Sequence, residues 1–238
     1  MIPKIIHYCW FGRGEKPKLY RKCVASWHRC CPDYEIIEWN EDNFDCGQYP
    51  YLKWCYEHGK WAFLSDFARL LILKEYGGIY LDTDVEMVKQ PDELLKYGAF
   101  LGFENKTYIN TGLGIGCEPH HPIMDVLLQP YLDRHPSEDG SYQPVPCPRL
   151  NTAVLLPYGL KQNGEKQQVC GAMILPTDYL NPFDDVTGRL EKTGNTFSIH
   201  WFGKSWMSKR SILRNRLTRP VHRFFGVDAL KIFRNRKL

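Results

Sequence analysis

Residues 65–84 read Ser65-Asp66-Phe67-Ala68-Arg69-Leu70-Leu71-Ile72-Leu73-Lys74-Glu75-Tyr76-Gly77-Gly78-Ile79-Tyr80-Leu81-Asp82-Thr83-Asp84. With Trp61, Phe63 and Leu64 just ahead, the first half is apolar nearly all round a helix, which predicts a buried one. Gly77-Gly78 supplies the stop, as a left-handed cap requires. Residues 79–85 then predict a strand. Side chains two apart on a strand share a face, so Asp82 and Asp84 are expected to converge on one ion. Asp66 and Arg69 are three apart and share a helix face. They read either as an ion pair inside the helix or as two groups facing a bound ligand.

The flanking sequence builds a sheet around this stretch. Residues 2–10 (Ile-Pro-Lys-Ile-Ile-His-Tyr-Cys-Trp) predict a first strand, broken by Gly12 and Gly14. Residues 18–29 have helical spacing, with Leu19, Cys23, Val24 and Trp27 on one face. Residues 34–39 predict a second strand. Strand, helix and strand over this length form a βαβ unit, for which a parallel sheet is the default. Ligands in such sheets bind outside the carboxyl ends of the strands. Trp10 stands at one such end, where it reads either as a ring stacking on a nucleobase or as a core or rim tryptophan.

Further along, residues 45–59 suggest one or two irregular helices, and residues 92–96 a short helix. Residues 99–103 predict a strand. Residues 110–116 (Asn-Thr-Gly-Leu-Gly-Ile-Gly) predict a strand lying close to a ligand or another backbone. Helices are expected over 122–132 and from 148, with a surface loop over 134–149. A short edge strand is predicted at 172–175, a loop at Asp184 and Asp185, and a last strand at 197–201. That strand delivers His200 and Trp201 to Gly203-Lys204-Ser205-Trp206, which reads as a site lid or a stacked aromatic corner.

The bulk properties bound the function. A chain of 238 residues suits one α/β domain, alone or with a small appendage. Its nine cysteines are scattered, with no CxxC pair and no zinc spacing, so a reducing compartment is expected. The first residues lack a long apolar core, and no run approaches the ~20 apolar residues of a membrane span. Neither GxGxxG nor a complete GxxxxGKS/GKT phosphate loop is present. Residues 204–238 carry eleven Lys or Arg and one acid, a net +10, whereas the rest of the chain is −6. Beyond Met207 the bases alternate with Ile212, Leu213, Leu217, Val221, Phe224, Phe225, Leu230, Ile232 and Phe233. That is the pattern of a basic amphipathic tail on an anionic membrane surface, or of a solvated helix docked to the body. No nucleic-acid recognition motif accompanies the charge, so no nucleic acid is expected as a partner. The expected division is a catalytic domain over 1–206 and a tail over 207–238. The expected location is cytoplasmic and peripheral on the inner face of the cell membrane.

Paired carboxylates at a strand end suit a hard cation that neutralises a leaving nucleoside diphosphate. The Ser-Asp-x-x-Arg run followed by Glu75-Tyr76-Gly77-Gly78-Ile79-Tyr80-Leu81-Asp82-Thr83-Asp84 resembles the DxD sugar-binding region of glycosyltransferase family 32. The opening Ile2 to Gly12 segment, Pro148 to Thr152 and, more loosely, His200 to Trp206 match as well. The resemblance implies a GT-A fold, a Rossmann-like α/β architecture with a mostly parallel central sheet flanked by helices. It implies a retaining, metal-dependent hexosyltransferase. Such an enzyme would move a hexose or N-acetylhexosamine from a nucleotide sugar, a UDP-sugar by preference, to a saccharide or lipid-linked saccharide acceptor in bacterial surface (capsular) polysaccharide synthesis. Trp10 would stack on the base. Ser65, Asp66, Arg69 and Tyr80 would line the donor sugar, and Asp82 would touch ribose and sugar. Asp84, with His200 or Ser205, would ligate Mn2+ (or Mg2+), Lys204 would stabilise the departing charge and Trp206 would contact the diphosphate. Cys147-Pro148 stands where many relatives have Gly-Pro. Two rival readings remain: a nucleotidyltransferase, and a catalytically silent glycan-binding or scaffold protein.

Overall fold

The computed structural model describes residues 1–203 and 209–226. Lys204, Ser205, Trp206 and the tail from 227 onward lie outside the described residues.

The chain begins β1 (Ile5–Cys9), α1 (Lys18–Cys30), β2 (Glu35–Trp39). β1 and β2 pair in parallel with Ile5 opposite Glu35 and Cys9 opposite Trp39, the expected βαβ unit. Then come α2 (Pro50–Glu57), α3 (Trp61–Tyr76), β3 (Gly78–Tyr80) and β4 (Val85–Met87). The segment 45–59 thus holds a single helix. β5 (Ala99–Phe103), β6 (Ile109–Asn110), β7 (Ile115–Cys117), α4 (Ile123–Leu132) and α5 (Cys147–Leu155) follow. The last described elements are β8 (Gln167–Val169), β9 (Ala172–Leu175), α6 (Thr177–Leu180), β10 (Phe183–Asp184), β11 (Arg189–Leu190), β12 (Ser198–His200) and α7 (Lys209–Phe225).

The central sheet runs β2-β1-β3-β7-β5-β9-β8, with β6 on β5. Strands β1, β2, β3, β5 and β9 point one way, and β6, β7 and β8 the other. Two apolar layers sandwich the sheet. One is centred on α3 with Leu64, Phe67, Leu70 and Leu73, and the other on Trp27 and Tyr20 of α1 with Ile6 and Ile79.

Several expectations are corrected. The predicted strand over 79–85 is two strands in different sheets, separated by a turn at Thr83 and Asp84. The run 110–116 is likewise split between β6 and β7. β9 is interior, because β8 pairs along its open side. Residues 92–94 form only a 3-10 turn, and the Asp184–Asp185 loop contains the β10–β11 hairpin.

The helix stop is tighter than a left-handed cap. Gly77 has φ 64° and ψ −154°, and Gly78 has φ 90°. A Cβ on Gly78 would lie 2.8 Å from the Ile5 carbonyl oxygen, because β3 enters flush against β1. His7 locks this corner. Its buried ring accepts the Trp39 indole N–H at Nδ1 (3.1 Å), which leaves the proton on Nε2 to donate to Gly77 O (3.0 Å). Burial, against the bond to Gly77, lowers the His7 pKa from 6.5 to about 4. The fold therefore requires the neutral ring. Its contribution is complete above pH 6.5 and is lost as the pH falls toward 4, a change on the order of 3 kcal/mol. Urea midpoints of the native chain should fall more steeply over that interval than those of His7→Asn; parallel curves would refute the assignment.

Candidate active site

Asp82 and Asp84 are brought together by a turn, not by a shared strand face. Val85 N–H donates to Asp82 O (3.0 Å), closing the reversal between β3 and β4. β1 and β3 run parallel, so Trp10 and Asp82 follow the carboxyl ends of neighbouring strands. His200 comes from more than a hundred residues away. β12 pairs antiparallel with β4, placing His200 opposite Val85, and Trp201 N–H then donates to Asp84 O (3.0 Å).

Asp82, Asp84 and His200 form a group whose ligand atoms all lie within 4.8 Å of one another. His200 Nε2 is 3.1 Å from Asp84 Oδ1. That is about the spacing of adjacent ligands on an octahedral ion with ~2.1 Å bonds. His200 Nδ1 is buried and has no partner among the described residues; the Phe202 ring lies 4.2 Å from the imidazole. Two carboxylates and an imidazole suit manganese or magnesium, with the imidazole inclining the set toward manganese.

The electrostatics divide the two acids. Burial raises the Asp82 pKa, and the neighbouring Asp84 adds to this, against the pull of Arg69. Asp84 is also buried, but His200 and the Gly203 N–H (2.6 Å to Oδ2) outweigh the desolvation and hold its pKa below the ordinary value. Burial opposes the charge on His200, and Asp84 outweighs it and raises that pKa.

Behind the acids lies Arg69, 1% exposed. Its Nη2 reaches both Asp66 and Asp82 at 2.9 Å. The intrahelical ion pair therefore exists and is extended to the acid turn. Burial raises the Asp66 pKa to about 6, against the attraction of Arg69. The Tyr80 ring lies under the guanidinium at 4.7 Å, and its hydroxyl donates to Asp82 Oδ1 (3.1 Å). Ser65 is used locally: its hydroxyl donates to Ala62 O (2.9 Å), and its carbonyl accepts from Arg69 Nε (3.1 Å). Gly112 lets these groups meet. A Cβ there would overlap Asp82 Oδ2 and sit 3.1 Å from Arg69 Nη1; the close approach at this glycine is to side chains, where a ligand or another backbone was expected.

Trp10 is half-buried, with its indole N–H on Gly14 O (3.0 Å) and its ring 5.1 Å from Tyr20. A cavity of about 410 Å³ opens beside it, lined also by Lys16, Arg21, Glu38 and Asn40. Lys204, Ser205 and Trp206 were expected in the site but lie outside the described residues. Sequence reasoning missed Thr111, Cys147 and Asn151, which surround the far side of Arg69. The Asn-Thr-Gly run and the Pro148 to Thr152 match were the available signals. Thr152 itself is structural, accepting the Ile109 N–H at 2.9 Å.

An α/β sheet of this order with an acid pair at a strand end defines the GT-A class of glycosyltransferase fold. Residues 17–101 match the family model described as the glycosyltransferase sugar-binding region containing the DXD motif. Inositol phosphoceramide mannosyltransferase 2 of Schizosaccharomyces pombe (strain 972 / ATCC 24843) is 30% identical over 133 residues, which is 54% of this chain and 38% of that one. A human alpha-1,4-N-acetylglucosaminyltransferase is 35% identical over 119 residues, 50% of this chain and 32% of that one. The chain thus spans about a third of the length of these curated relatives. Among solved structures, the PaToxG glycosyltransferase superposes with a TM-score of 0.50 at 20% identity, over 66% of this chain and 69% of that one, a likeness of fold.

Proposed function

We propose that this protein is a metal-dependent retaining glycosyltransferase that takes a hexose or N-acetylhexosamine from a nucleotide sugar. The observation that carries the reading is the convergence of Asp82, Asp84 and His200 beside the buried Asp66–Arg69–Asp82 cluster. One set of groups suits a cation and diphosphate, and the other suits sugar hydroxyls. A bound Mn2+ or Mg2+ would neutralise the diphosphate leaving group, held by Asp84, Asp82 and His200. The free oxygens of Asp66 and Asp82 accept sugar hydroxyls, and the Arg69 charge steadies both carboxylates as positive charge grows at the anomeric carbon. The bond from that carbon to the phosphate oxygen breaks as the acceptor oxygen bonds to the same face. The acceptor proton passes to the departing phosphate.

A UDP-sugar is the preferred donor in this reading, with GDP-mannose as the competitor. A thermal-shift screen of UDP-galactose, UDP-glucose, UDP-N-acetylglucosamine and GDP-mannose with manganese tests it, since a ligand of the native state raises its stability. A rise of several degrees that requires both metal and one nucleotide sugar is expected. No shift with any of them would remove the reading.

The acceptor in this reading is a saccharide on a lipid, in bacterial surface polysaccharide synthesis at the inner membrane face. Helix α7 supports the membrane part. Leu213, Leu217 and Phe224 are 58%, 70% and 78% exposed, and at ~100° per residue they share one stripe. Arg210, Arg214 and Arg223 flank it, also exposed. Arg219 turns the other way, onto Asp185 (2.7 Å) and the Phe183 ring (5.3 Å). Among the described residues no helix is long and apolar enough to cross a membrane. The full chain should float with anionic vesicles and not with neutral ones, and Leu213→Ser/Leu217→Ser/Phe224→Ser should reduce flotation at least about tenfold. Equal flotation of both forms would remove the helix from membrane attachment.

A further inference from the structure

Glu104 is a carboxylate that neither the metal group nor the Arg69 cluster uses. It follows the carboxyl end of β5, which runs in the same direction as β1 and β3, so it stands on the sheet edge that carries Trp10 and Asp82. One strand, β7, lies between β3 and β5. Two strand spacings put the ends of β3 and β5 roughly 10 Å apart, which leaves room for a sugar between Asp82 and Glu104. Gly102 pairs with Asn110, and Glu104 is two residues on, so Glu104 and Asn110 share one face of the sheet. That face is covered by α6, whose Leu180 lies against Gly102. β12, the strand that delivers His200, is bonded to α6 by the Phe197 N–H on Tyr179 O (2.8 Å). Asp66 and Arg69 belong to α3, on the other face.

Two buried amides fasten Glu104. The Asn110 side-chain N–H donates to its Oε2 (2.7 Å), and the Asn181 side-chain N–H donates to its main-chain oxygen (2.8 Å). Asn110 also ties the carboxylate to the acid turn. Its Oδ1 accepts the Gly112 N–H (2.7 Å), and Gly112 O accepts the Asp82 N–H (3.2 Å). Glu104 Oε1 has no hydrogen-bond partner among the described residues, and no Lys or Arg among them pairs with the carboxylate. The residue is half-buried, so solvent reaches it. Its charge is felt at the cation site: burial opposes the charged form of His200, and Asp84, Asp82 and Glu104 favour it. A carboxylate held by neutral amides at one oxygen offers the other to a hydroxyl donor. A negatively charged group would be repelled by it and by Asp82.

We propose that Glu104 is an acceptor-binding residue: its unbonded carboxylate oxygen takes a hydrogen bond from a hydroxyl of the acceptor sugar, beside the hydroxyl that attacks, and so selects an uncharged terminal sugar. This rests on the glycosyltransferase reading above. The proton of the attacking hydroxyl still passes to the departing phosphate, and Glu104 takes none.

The test uses the full chain with manganese and the nucleotide sugar giving the largest thermal shift. The acceptor probes are octyl β-glycosides of galactose, glucose, N-acetylglucosamine and glucuronic acid, with the monodeoxy forms of the best of them. The native chain should transfer to at least one neutral glycoside, and at least about tenfold less well to the glucuronide. Glu104→Gln keeps the side-chain shape and an oxygen for Asn110. It should raise the acceptor KM at least about tenfold, the scale of one hydrogen bond to a charged group. Donor KM and affinity for the free nucleoside diphosphate with manganese should stay within about twofold. On one monodeoxy glycoside the substitution should have almost no further effect, because the partner hydroxyl is already gone. An unchanged acceptor KM in folded Glu104→Gln would overturn the proposal, as would an equal loss of donor or diphosphate affinity, or an effect that persists on every deoxy glycoside. Equal or better transfer to the glucuronide would overturn it too. Should the glutamine variant fail to fold, Glu104→Asp, which withdraws the charge by one methylene, reads the same contact. A native chain that hydrolyses no nucleotide sugar overturns the parent reading and this one together; one that hydrolyses its donor but transfers to no glycoside overturns this one alone.

Discussion

Asp84→Asn is expected to lower metal-dependent turnover by at least about 1,000-fold while leaving the melting temperature nearly unchanged. The asparagine oxygen still accepts the Gly203 N–H, and the main-chain bond from Trp201 to residue 84 O does not involve the side chain. What disappears is the charge that His200 faces at 3.1 Å and that the cation needs. A loss of ~4 kcal/mol in stabilising a departing diphosphate corresponds to the thousandfold figure. Manganese titrated over a wide range separates weakened metal affinity from lost chemistry. Native turnover in this variant would refute the metal assignment.

The second large effect is expected from Arg69→Met. The side-chain volume is roughly kept, but Asp66 and Asp82 lose the buried guanidinium they share. Removing one partner of a buried charge cluster typically costs about 3–5 kcal/mol. The sign with pH is opposite to that of an ordinary acid-labile pair. Without Arg69, the Asp66 pKa, already raised to about 6 by burial, rises further. The variant folds best when its carboxyls are protonated, so its deficit should narrow as the pH falls toward about 6 and level off below it, where Asp66 is protonated in the native chain too. Denaturant midpoints from pH 8 to pH 5 would read this, and a deficit that does not change with pH would show that packing alone is involved. Arg69→Lys should not restore turnover, because an ammonium cannot reach five partners in one plane.

The parts of this protein governed by local pattern were legible beforehand. The parallel β1–α1–β2 unit follows from two apolar strands around an amphipathic helix, and α3 from its nearly all-round apolar surface. Asp66, Arg69, Asp82 and Asp84 could be named because their spacing and the Gly77-Gly78 stop form a specific run. The geometry of the acid pair was not legible. Strand periodicity continued through residue 85, but the Val85 to Asp82 bond reverses the chain and sends β4 to another sheet. β9 looked like an edge strand because its partner β8 is three residues long and mostly polar. Thr111 and Asn151 were passed over for a related reason. Their place depends on which strand and helix lie next to Arg69, and the Asn110-Thr111-Gly112 run and the Pro148 to Thr152 match mark only the segments that carry them.

The ribbon that delivers His200 has a consequence for how the site behaves in time. β12 and β4 form a two-stranded ladder of three residue pairs, outside the central sheet. Such a ladder can open by local unfolding at a free energy well below that of the whole domain. The ladder supplies His200 to the candidate cation site, and its strand β4 is tied to α1 by the Trp27 indole N–H on Val85 O (2.8 Å). Amide hydrogens of residues 85–87 and 198–200 should exchange sooner than those of β1 and β3, and a bound cation should slow them selectively. Affinity for the ion and closure of the ribbon are one equilibrium, so a weakened ladder would register as a weaker metal site in a chain whose core is untouched.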